Sequence, residues 1–548
     1  MFMKDLKTLS LKNKILLSSL ALFIIQALLT LKQGGPYIFS DETCAINVAK
    51  NLANNFEYND CTSIIGITAN DHLPLFQILI APLYWFFSTQ FAYKAILILN
   101  CLLISSLIFP LTKIIGEVNK KLKENTSIIL SCFVLFLPQI IFYQNTALTE
   151  SLFIFLNIWT LYFYLISKGP RSNIMAFTLA IGAALTRPFG FITLLAIIIT
   201  EAWNLKDKKK LALIYLPLSI ITTTVFISQT YPDIRELINN TFTIFKNDAI
   251  SSHLLRANIE QFNTILIASS IVPFYFFLKF LGNKSQNSKM RLFLGVLFTL
   301  NIIVTLRHIL GYISIADLDP GLLSRYINIS LIYIFLIGAA SIFSHKLKRK
   351  DFLLLILMAS ILLLQPILSA KHSLNIDLSY LLTNSNNVDN TTQLSLNHHG
   401  FSSYLYPILA IFTLLWVLAS RLKPTKALAT IAIVIILQAT LSYNCIFTNT
   451  SYSSEIEDYF INNSHKIIFL DSADSQIPNN FDFWKLISQS DNQISYNLII
   501  NYEKFKEDSS KIDEMINSYS TEYEYIISPL SFDLPIIVTQ GAVNVYEI

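Results

Sequence analysis

Two acidic residues, Asp41 and Glu42, stand side by side after the first long apolar segment of the chain, in the sequence YIFSDETCAINVAKNL. Carboxylates of this kind can accept a proton in general acid–base chemistry. They can also stabilise the first turn of a helix, where the dipole favours negative charge and where Ser40 would be the N-cap. Glu150 follows Thr149 at the start of another apolar segment. It has the same two interpretations, so the residues alone leave both roles open.

Two arginines lie where apolar segments turn or begin. Arg187 is in ALTRPFGFITLL and Arg325 is in LLSRYINISL. An arginine in an apolar segment costs roughly 2.5 to 3.5 kcal/mol on insertion scales, so it is a functional candidate by default. Its planar guanidinium suits the bidentate binding of an oxyanion. The alternative for both residues is that they reach out to lipid headgroups.

The elements that position these residues are predicted to be membrane-spanning helices. The 548 residues are 53% hydrophobic and only 14% charged, with a mean hydropathy of +0.52, whereas soluble domains carry roughly a quarter charged residues. A span needs about 20 mostly apolar residues. The runs of that kind are 15–32, 92–115, 127–145, 150–167, 173–203, 211–229, 262–281, 292–310, 326–344, 352–369, 403–420 and 427–444.

The basic residues between these runs predict the orientation, because short loops rich in Lys and Arg stay cytoplasmic. They fall in the segments 4–14, 120–123, 168–171, 206–210, 284–291, 346–350 and 421–426. Segment 173–203 is flanked by basic residues on both sides, so its two ends should share one face of the membrane. We therefore expect a hairpin of two short helices with its apex at Thr186-Arg187-Pro188. This gives about 13 spans, with the N-terminus inside and the C-terminus outside.

The predicted architecture is a polytopic α-helical membrane protein, residues 1–444, followed by a small extracytoplasmic α/β domain, residues 445–548. The second part alternates helical and strand patterns, with strands expected in KIIFLD, YNLIINY, YEYIIS, PIIVTQ and VNVYEI. Residues 33–91 form the first outer loop. In it, a helix from Glu42 to Asn55 is expected on the membrane surface, and the apolar run 74–87 is expected as an interfacial helix that packs the loop onto the bundle.

Several motifs together carry a resemblance to a known family. They are SDET followed by AKNL, then HLPL around His72, YQNTALTESLF around Glu150, ALTRPFGFITLL around Arg187, and LLSRY with Arg325 and Tyr326. Their order resembles that of the polyprenyl-phosphate-sugar-dependent glycosyltransferases of GT-C fold. This group includes the protein O-mannosyltransferases, the lipid A aminoarabinose transferase and the rhizobial galacturonosyltransferases. The resemblance covers nearly the whole chain.

The resemblance implies transfer of a sugar from a polyprenyl phosphate to a lipid, glycan or protein acceptor at the outer face of a bacterial plasma membrane. The reaction would be a single displacement that inverts the anomeric carbon. By position, Asp41 is the expected general base, Glu42 the alternative carboxylate, and Glu150 a residue that orients the acceptor or binds a divalent metal ion. Arg187 and Arg325 are expected to bind the leaving phosphate, with His72 and Tyr326 as further substrate-binding residues.

Other functions give different patterns. A transporter should place ionisable residues near the middle of its spans, whereas the candidates here gather at outer span ends. A polysaccharide polymerase or ligase would have its large outer loop late in the chain, and segment 370–402 keeps that alternative open. The net charge of +4 gives no argument for a nucleic-acid partner. Cys44 and Cys61 both fall in the first outer loop, where oxidation can join them.

Overall fold

The computed structural model describes parts of the N-terminal helical region and the C-terminal strands of the chain. The described residues are 10–31, 39–56, 58, 74–205, 217, 220, 224, 271–284, 287–315, 328–342, 351, 353–355, 357, 358, 466–472, 493–499, 524–528, 536–540 and 543–547. All observations below concern these residues. The predicted spans 403–420 and 427–444 lie outside them.

The described membrane part is helical. Its helices are α1 Leu11–Thr30, α2 Phe39–Asn55, α3 Leu75–Ile80, α4 Leu83–Phe86, α5 Thr89–Ser106, α6 Ile108–Val118, α7 Glu124–Leu135, α8 Pro138–Gln144, α9 Glu150–Leu165, α10 Pro170–Thr186, α11 Gly190–Asn204, α12 Ile271–Gly282, α13 Ser288–Ile315 and α14 Asn328–Ile342. Within the described residues, three segments are long and apolar enough to cross a membrane, namely Leu11–Thr30, Thr89–Val118 and Ser288–Thr305.

Prolines interrupt the helix in two of the expected spans. In the span predicted over 92–115, the regular helix is interrupted at Leu107, between α5 and α6, because Pro110 cannot donate a hydrogen bond to the carbonyl group of Ser106. The prediction of one continuous helix over 127–145 is wrong, since α7 ends at Leu135 and α8 begins at Pro138. Leu137, which precedes the proline, takes an extended conformation with ψ of 138°, as the steric clash with a following proline requires.

The hairpin predicted over 173–203 is confirmed. Helix α10 ends at Thr186, Arg187 is extended with φ −150° and ψ 145°, and α11 begins at Gly190. Pro188 favours that extended conformation in Arg187. The chain then folds back so tightly that a Cβ atom on Gly190 would lie 2.2 Å from the backbone of Ala183. A residue without a side chain is therefore required where α11 leaves the apex.

The described part of the first outer loop packs onto the bundle. Helix α2 contains Ser40, so the expectation that Ser40 is the N-cap is wrong, and Asp41 and Glu42 are the third and fourth residues of the helix. Most described side chains of α2 are buried, in contact with α3 and α4. The indole of Trp85 in α4 donates a hydrogen bond to the carbonyl group of Ala53 at 2.7 Å. The apolar run 74–87 packs the loop down as predicted, but Pro82 divides it into two short helices.

Helices α12 and α14 also pack with their backbones in close contact. A Cβ atom on Gly338 would lie 1.9 Å from the carbonyl oxygen of Pro273, so the two backbones touch at this crossing. Beside it, Asp351 is buried and accepts a hydrogen bond from Tyr275 at 2.6 Å and another from Lys279 at 2.7 Å. These hydrogen bonds join α12 to Asp351 and do not involve the first outer loop.

The C-terminal strands form a five-stranded sheet of β1 Lys466–Ser472, β2 Gln493–Ile499, β3 Tyr525–Ser528, β4 Ile536–Gln540 and β5 Val543–Glu547. Their order is β2-β1-β3-β5-β4. Strand β1 is parallel to β2 and β3, and β5 is antiparallel to β3 and β4. Each strand overlaps a segment expected from the sequence. The helices predicted between them lie outside the described residues.

The hairpin apex generates a stability prediction. Gly190→Ala should lower the free energy of unfolding by about 1 to 3 kcal/mol, the usual cost of overpacking, because its Cβ would overlap the backbone of Ala183. The measurement is thermal or denaturant unfolding of purified protein in detergent. Gly182→Ala is the matched control in the same hairpin, since its Cβ would lie 3.6 Å from Leu156 and Leu75, an ordinary contact. Equal stability of the two variants would contradict the tight apex.

Candidate active site

A buried turn, residues 145–149, links α8 to α9 and lies at the centre of the candidate site. All five residues are buried. A buried turn is uncommon because its backbone polar groups must find partners inside the protein. Here Asn100 on α5 donates a hydrogen bond to the carbonyl group of Thr146 at 2.8 Å, and Thr30 on α1 donates one to the side chain of Asn145 at 2.8 Å. Two helices distant in sequence therefore hold the turn in place.

Glu42 is the third group that holds this turn. Its side chain is completely buried. Its Oε1 atom accepts a hydrogen bond from the backbone N–H of Ala147 and another from the hydroxyl group of Tyr93 at 3.3 Å. A charge-assisted bond to a backbone N–H is among the stronger hydrogen bonds in proteins. Glu42 thus joins the first outer loop to the 145–149 turn.

Glu150 and Arg187 form a buried ion pair. Arg187 donates a hydrogen bond from its Nη1 atom to Oε1 of Glu150. The two side chains are only 6% and 5% exposed, so neither charge has bulk water around it. Glu150 lies in the first turn of α9, and Oε2 of Glu150 also accepts a long hydrogen bond of 3.4 Å from Thr149. Thr149 makes no side-chain capping bond to the helix backbone.

Further hydrogen bonds fix the backbones on which this pair is mounted. Ser151 at the start of α9 donates to the carbonyl group of Tyr143 at 2.9 Å. Further along α9, the side chain of Asn157 accepts a hydrogen bond from Thr193 on α11. Thr186 donates to the carbonyl group of Gly182 at 2.8 Å, which closes the end of α10. The hairpin apex and the start of α9 are therefore held at a fixed separation.

The structure brings together three of the residues singled out from the sequence. Glu42 binds the turn that leads directly into Glu150, and Glu150 binds Arg187. Asp41 has its backbone in α2, beside Glu42, and its side chain lies outside the described part of the structure. His72, Arg325 and Tyr326 also lie outside the described residues.

Sequence reasoning missed the residues that support these groups, namely Thr30, Tyr93, Asn100 and Asn145. A signal was present for Asn100 and Thr30, because each is a polar residue within or at the end of an apolar span, where polar groups need an internal partner. Tyr93 and Asn145 also lie within or at the end of predicted spans, but the sequence does not show which partners they take. Their roles depend on where α5 and the turn meet in three dimensions.

The described side chains around Glu150 do not by themselves form a site for a divalent metal ion. The guanidinium of Arg187 already neutralises this carboxylate, and a second cation on Glu150 would lie beside the first. Within the described part of the chain, no group of three or more His, Cys, Asp or Glu residues lies close enough together to hold a metal ion. The role of Glu150 as a metal ligand therefore stays a prediction.

Cys44, two residues after Glu42, is disulfide-bonded. Its partner lies outside the described residues, so the pairing with Cys61 stays a prediction. Cys101 and Cys132 are free, as expected for small hydrophobic residues within helices. The disulfide fastens α2 at the point where it carries the acidic residues.

Comparison with known proteins rests on the fold. No family model matches the sequence, and no curated protein matches it either. Among solved structures, ArnT from Cupriavidus metallidurans bound to undecaprenyl phosphate matches with a TM-score of 0.52 and 11% identity, over 96% of this chain and 97% of that one. The chain has the fold of ArnT. The resemblance to the GT-C glycosyltransferases is thus confirmed for the fold.

Two further solved structures match over most of this chain. The apo form of the same ArnT gives a TM-score of 0.49 and 10% identity, covering 98% of each chain. The Archaeoglobus fulgidus oligosaccharyltransferase AglB, in complex with an inhibitory peptide and a dolichol-phosphate, gives a TM-score of 0.33 and 12% identity, covering 93% of this chain and 69% of AglB.

The ion pair of this ArnT-like fold should be important for stability. Arg187→Gln leaves the Glu150 carboxylate buried without its counter-charge, and the free energy of unfolding should fall by about 3 to 5 kcal/mol. The double variant Arg187→Gln/Glu150→Gln removes both charges and should regain much of that loss. Denaturant unfolding of the three proteins in detergent measures this.

Lys289→Gln is the matched control for Arg187→Gln. Lys289 and Glu201 also form an ion pair, at 2.8 Å, but their side chains are 35% and 26% exposed. Pairs that water reaches contribute about 0 to 1 kcal/mol. A loss in Arg187→Gln as small as that in Lys289→Gln would show that the Glu150–Arg187 pair is not isolated from solvent in the folded protein.

Proposed function

We propose that this protein is a membrane glycosyltransferase that transfers a sugar from a polyprenyl phosphate to a lipid, glycan or protein hydroxyl group. The observation that carries the proposal is the buried Glu150–Arg187 pair, joined through the 145–149 turn to the acidic helix α2. Solvent is excluded from this pair, and an arginine held in an apolar surrounding is a strong site for an oxyanion. The fold adds support, because the matching ArnT structure is bound to undecaprenyl phosphate.

The reaction is a single displacement at the anomeric carbon. The acceptor oxygen attacks this carbon on the side opposite the phosphate, so a new carbon–oxygen bond forms as the bond to the phosphate oxygen breaks. The bonding electron pair leaves with the phosphate, and the proton of the acceptor hydroxyl passes to a carboxylate. The configuration at the anomeric carbon is inverted, and polyprenyl phosphate is the second product.

Asp41 is assigned the role of general base. Of the three acidic candidates, Glu42 is engaged by Ala147 and Tyr93 and Glu150 by Arg187. Both carboxylates thus have partners within the described residues. Asp41, on the same helix as Glu42, matches the acidic residue of the family by position and is assigned to accept the proton. Glu42 is then a positioning residue rather than the alternative base.

Arg187 is assigned to bind the leaving phosphate, together with Arg325 and the adjacent Tyr326. The phosphate gains negative charge as the sugar leaves, so a guanidinium contact that strengthens during the reaction lowers the barrier. His72, in the first outer loop, is assigned a hydrogen bond to the phosphate or the sugar. The two arginines are chosen because an arginine in an apolar segment is costly without a partner and because a guanidinium suits the geometry of a phosphate.

The proposed setting is the bacterial plasma membrane, with about 13 spans, residues 1–444, and the C-terminal domain 445–548 on the outer side. The positions of Lys and Arg support this orientation. The disulfide at Cys44 supports it independently, because disulfides persist in oxidising compartments. The active site would then face the outer leaflet, where the donor lipid carries its sugar.

The assignment of the base gives the main functional test. Asp41→Asn should lower turnover by roughly a hundred-fold to ten-thousand-fold, the usual effect of removing a general base. Donor binding should persist. The assay uses purified protein in nanodiscs, undecaprenyl-phosphate-linked sugars as donors, and release of undecaprenyl phosphate as the readout.

Glu42→Gln is the comparison variant for Asp41→Asn. It keeps the shape of the side chain and an oxygen that can accept from Ala147, so turnover should change little. The hydrogen bond is no longer charge-assisted, so the free energy of unfolding should fall. Near-normal turnover by Asp41→Asn together with a large loss in Glu42→Gln would reverse the two roles. Absence of transfer from any undecaprenyl-phosphate-linked sugar by the wild-type protein would contradict the proposed function.

The orientation can be tested by cysteine labelling at the two ends of the hairpin. Asn173 and Asn204 are exposed in the structure, so single cysteines there should be accessible on one side; Cys101, Cys132 and Cys445 are replaced in the parent chain, and that parent without the new cysteine gives the background labelling. We expect an impermeant maleimide to leave both unlabelled in intact cells and to label both after permeabilisation. Labelling of either position from outside would overturn the predicted hairpin orientation.

A further inference from the structure

One guanidinium nitrogen of Arg187 that a lipid phosphate could use is already engaged by a carboxylate. The Nη1 atom of Arg187 donates to the carboxylate of Glu150, and both side chains are nearly excluded from solvent. A carboxylate and a phosphate present similar oxygen pairs to a guanidinium. Glu150 therefore occupies Arg187 in the way that the phosphate of a donor lipid would.

We propose that Glu150 is a built-in competitor for Arg187, which holds the place of the lipid phosphate while the site is empty. This inference rests on the proposed function, since it requires Arg187 to bind the phosphate. An unpaired arginine in this surrounding would be unstable, so the guanidinium must have one anion or the other. Exchange of carboxylate for phosphate keeps the cation paired before, during and after the reaction.

Hydrogen bonds and close packing hold the backbone on both sides of the Glu150–Arg187 pair. The start of α9 is held by the bond from Ser151 to Tyr143, and α9 is joined to α11 by the bond from Thr193 to Asn157. The apex that carries Arg187 is closed by Pro188 and by the close contact of Gly190 with Ala183. On this proposal, rotation of the Glu150 side chain releases the guanidinium, and Thr149, which already donates to Oε2 of Glu150 at 3.4 Å, remains a hydrogen-bond donor to the displaced carboxylate.

The competition has a use at the end of the reaction. The donor phosphate is a diester with one negative charge, whereas the product polyprenyl phosphate is a monoester and carries up to two. A site built only from cations would hold the product more tightly than the donor. Return of Glu150 to Arg187 lowers the affinity for the product and helps to displace it.

This proposal predicts that removal of the Glu150 charge raises the affinity for the lipid phosphate, whereas loss of a residue that only positions Arg187 would lower it. Glu150→Gln should bind undecaprenyl phosphate roughly ten-fold more tightly than the wild type, because one charge-assisted hydrogen bond is no longer contested. If Glu150 only holds Arg187 in the right place, the same variant should bind more weakly. Binding is measured on purified protein in nanodiscs, from the shift in melting temperature with undecaprenyl phosphate concentration.

Two variants serve as controls. Glu201→Gln removes a carboxylate from the other ion pair, with Lys289, near the far end of α11, and should leave the affinity for undecaprenyl phosphate unchanged. Arg187→Gln should weaken binding. If Arg187→Gln binds like the wild type, the phosphate site of the proposed function is wrong. If Arg187→Gln binds more weakly but Glu150→Gln is unchanged or also weaker, the function stands and the competition is overturned.

If Glu150→Gln does not fold, Glu150→Asp takes its place in the binding measurement. Aspartate retains the charge that the buried arginine needs, but its side chain is one methylene shorter and reaches Arg187 less well. It should therefore bind undecaprenyl phosphate more tightly than the wild type, by less than Glu150→Gln. Unchanged or weaker binding by Glu150→Asp would also overturn the competition.

Discussion

The ion pair between Glu150 and Arg187 is the constraint on which the surrounding structure depends. A single charge in this position would cost several kcal/mol, so each residue requires the other to be present and in reach. Glu150 is the first residue of α9, and Arg187 lies at the apex between α10 and α11. The geometry of three helices is therefore set by the need to keep two opposite charges together in an apolar surrounding.

The 145–149 turn carries this constraint to the rest of the bundle. Hydrogen bonds from α1, α2 and α5 converge on it, and its last residue leads directly into Glu150. The acidic helix α2 is thereby placed relative to the hairpin through one short, fully buried segment. The candidate site is assembled from parts of the chain that are more than a hundred residues apart, such as Thr30 and Asn145.

Local features of this structure were accessible from the sequence, and features that depend on long-range packing were not. The hairpin could be predicted because basic flanks and a proline after Arg187 are read directly from the chain. The break before Pro138 was a local signal too, but the apolar run 127–145 outweighed it. Neither the motif around Glu150 nor the motif around Arg187 predicts that the two residues pair. The pairing appears only when α9 and the hairpin pack together, and the role of Glu42 depends on the same packing.

The order of the two charges along the chain also bears on how the protein enters the membrane. Glu150 precedes Arg187 by 37 residues, so during synthesis α9 emerges from the ribosome before the hairpin does. On the proposed topology, the apex must carry a guanidinium across the bilayer between two helices of 17 and 15 residues. A carboxylate already lodged beside that path offers the arriving cation a partner. The membrane-inserted part of the nascent chain would thus act as a local guide for the segment that follows it.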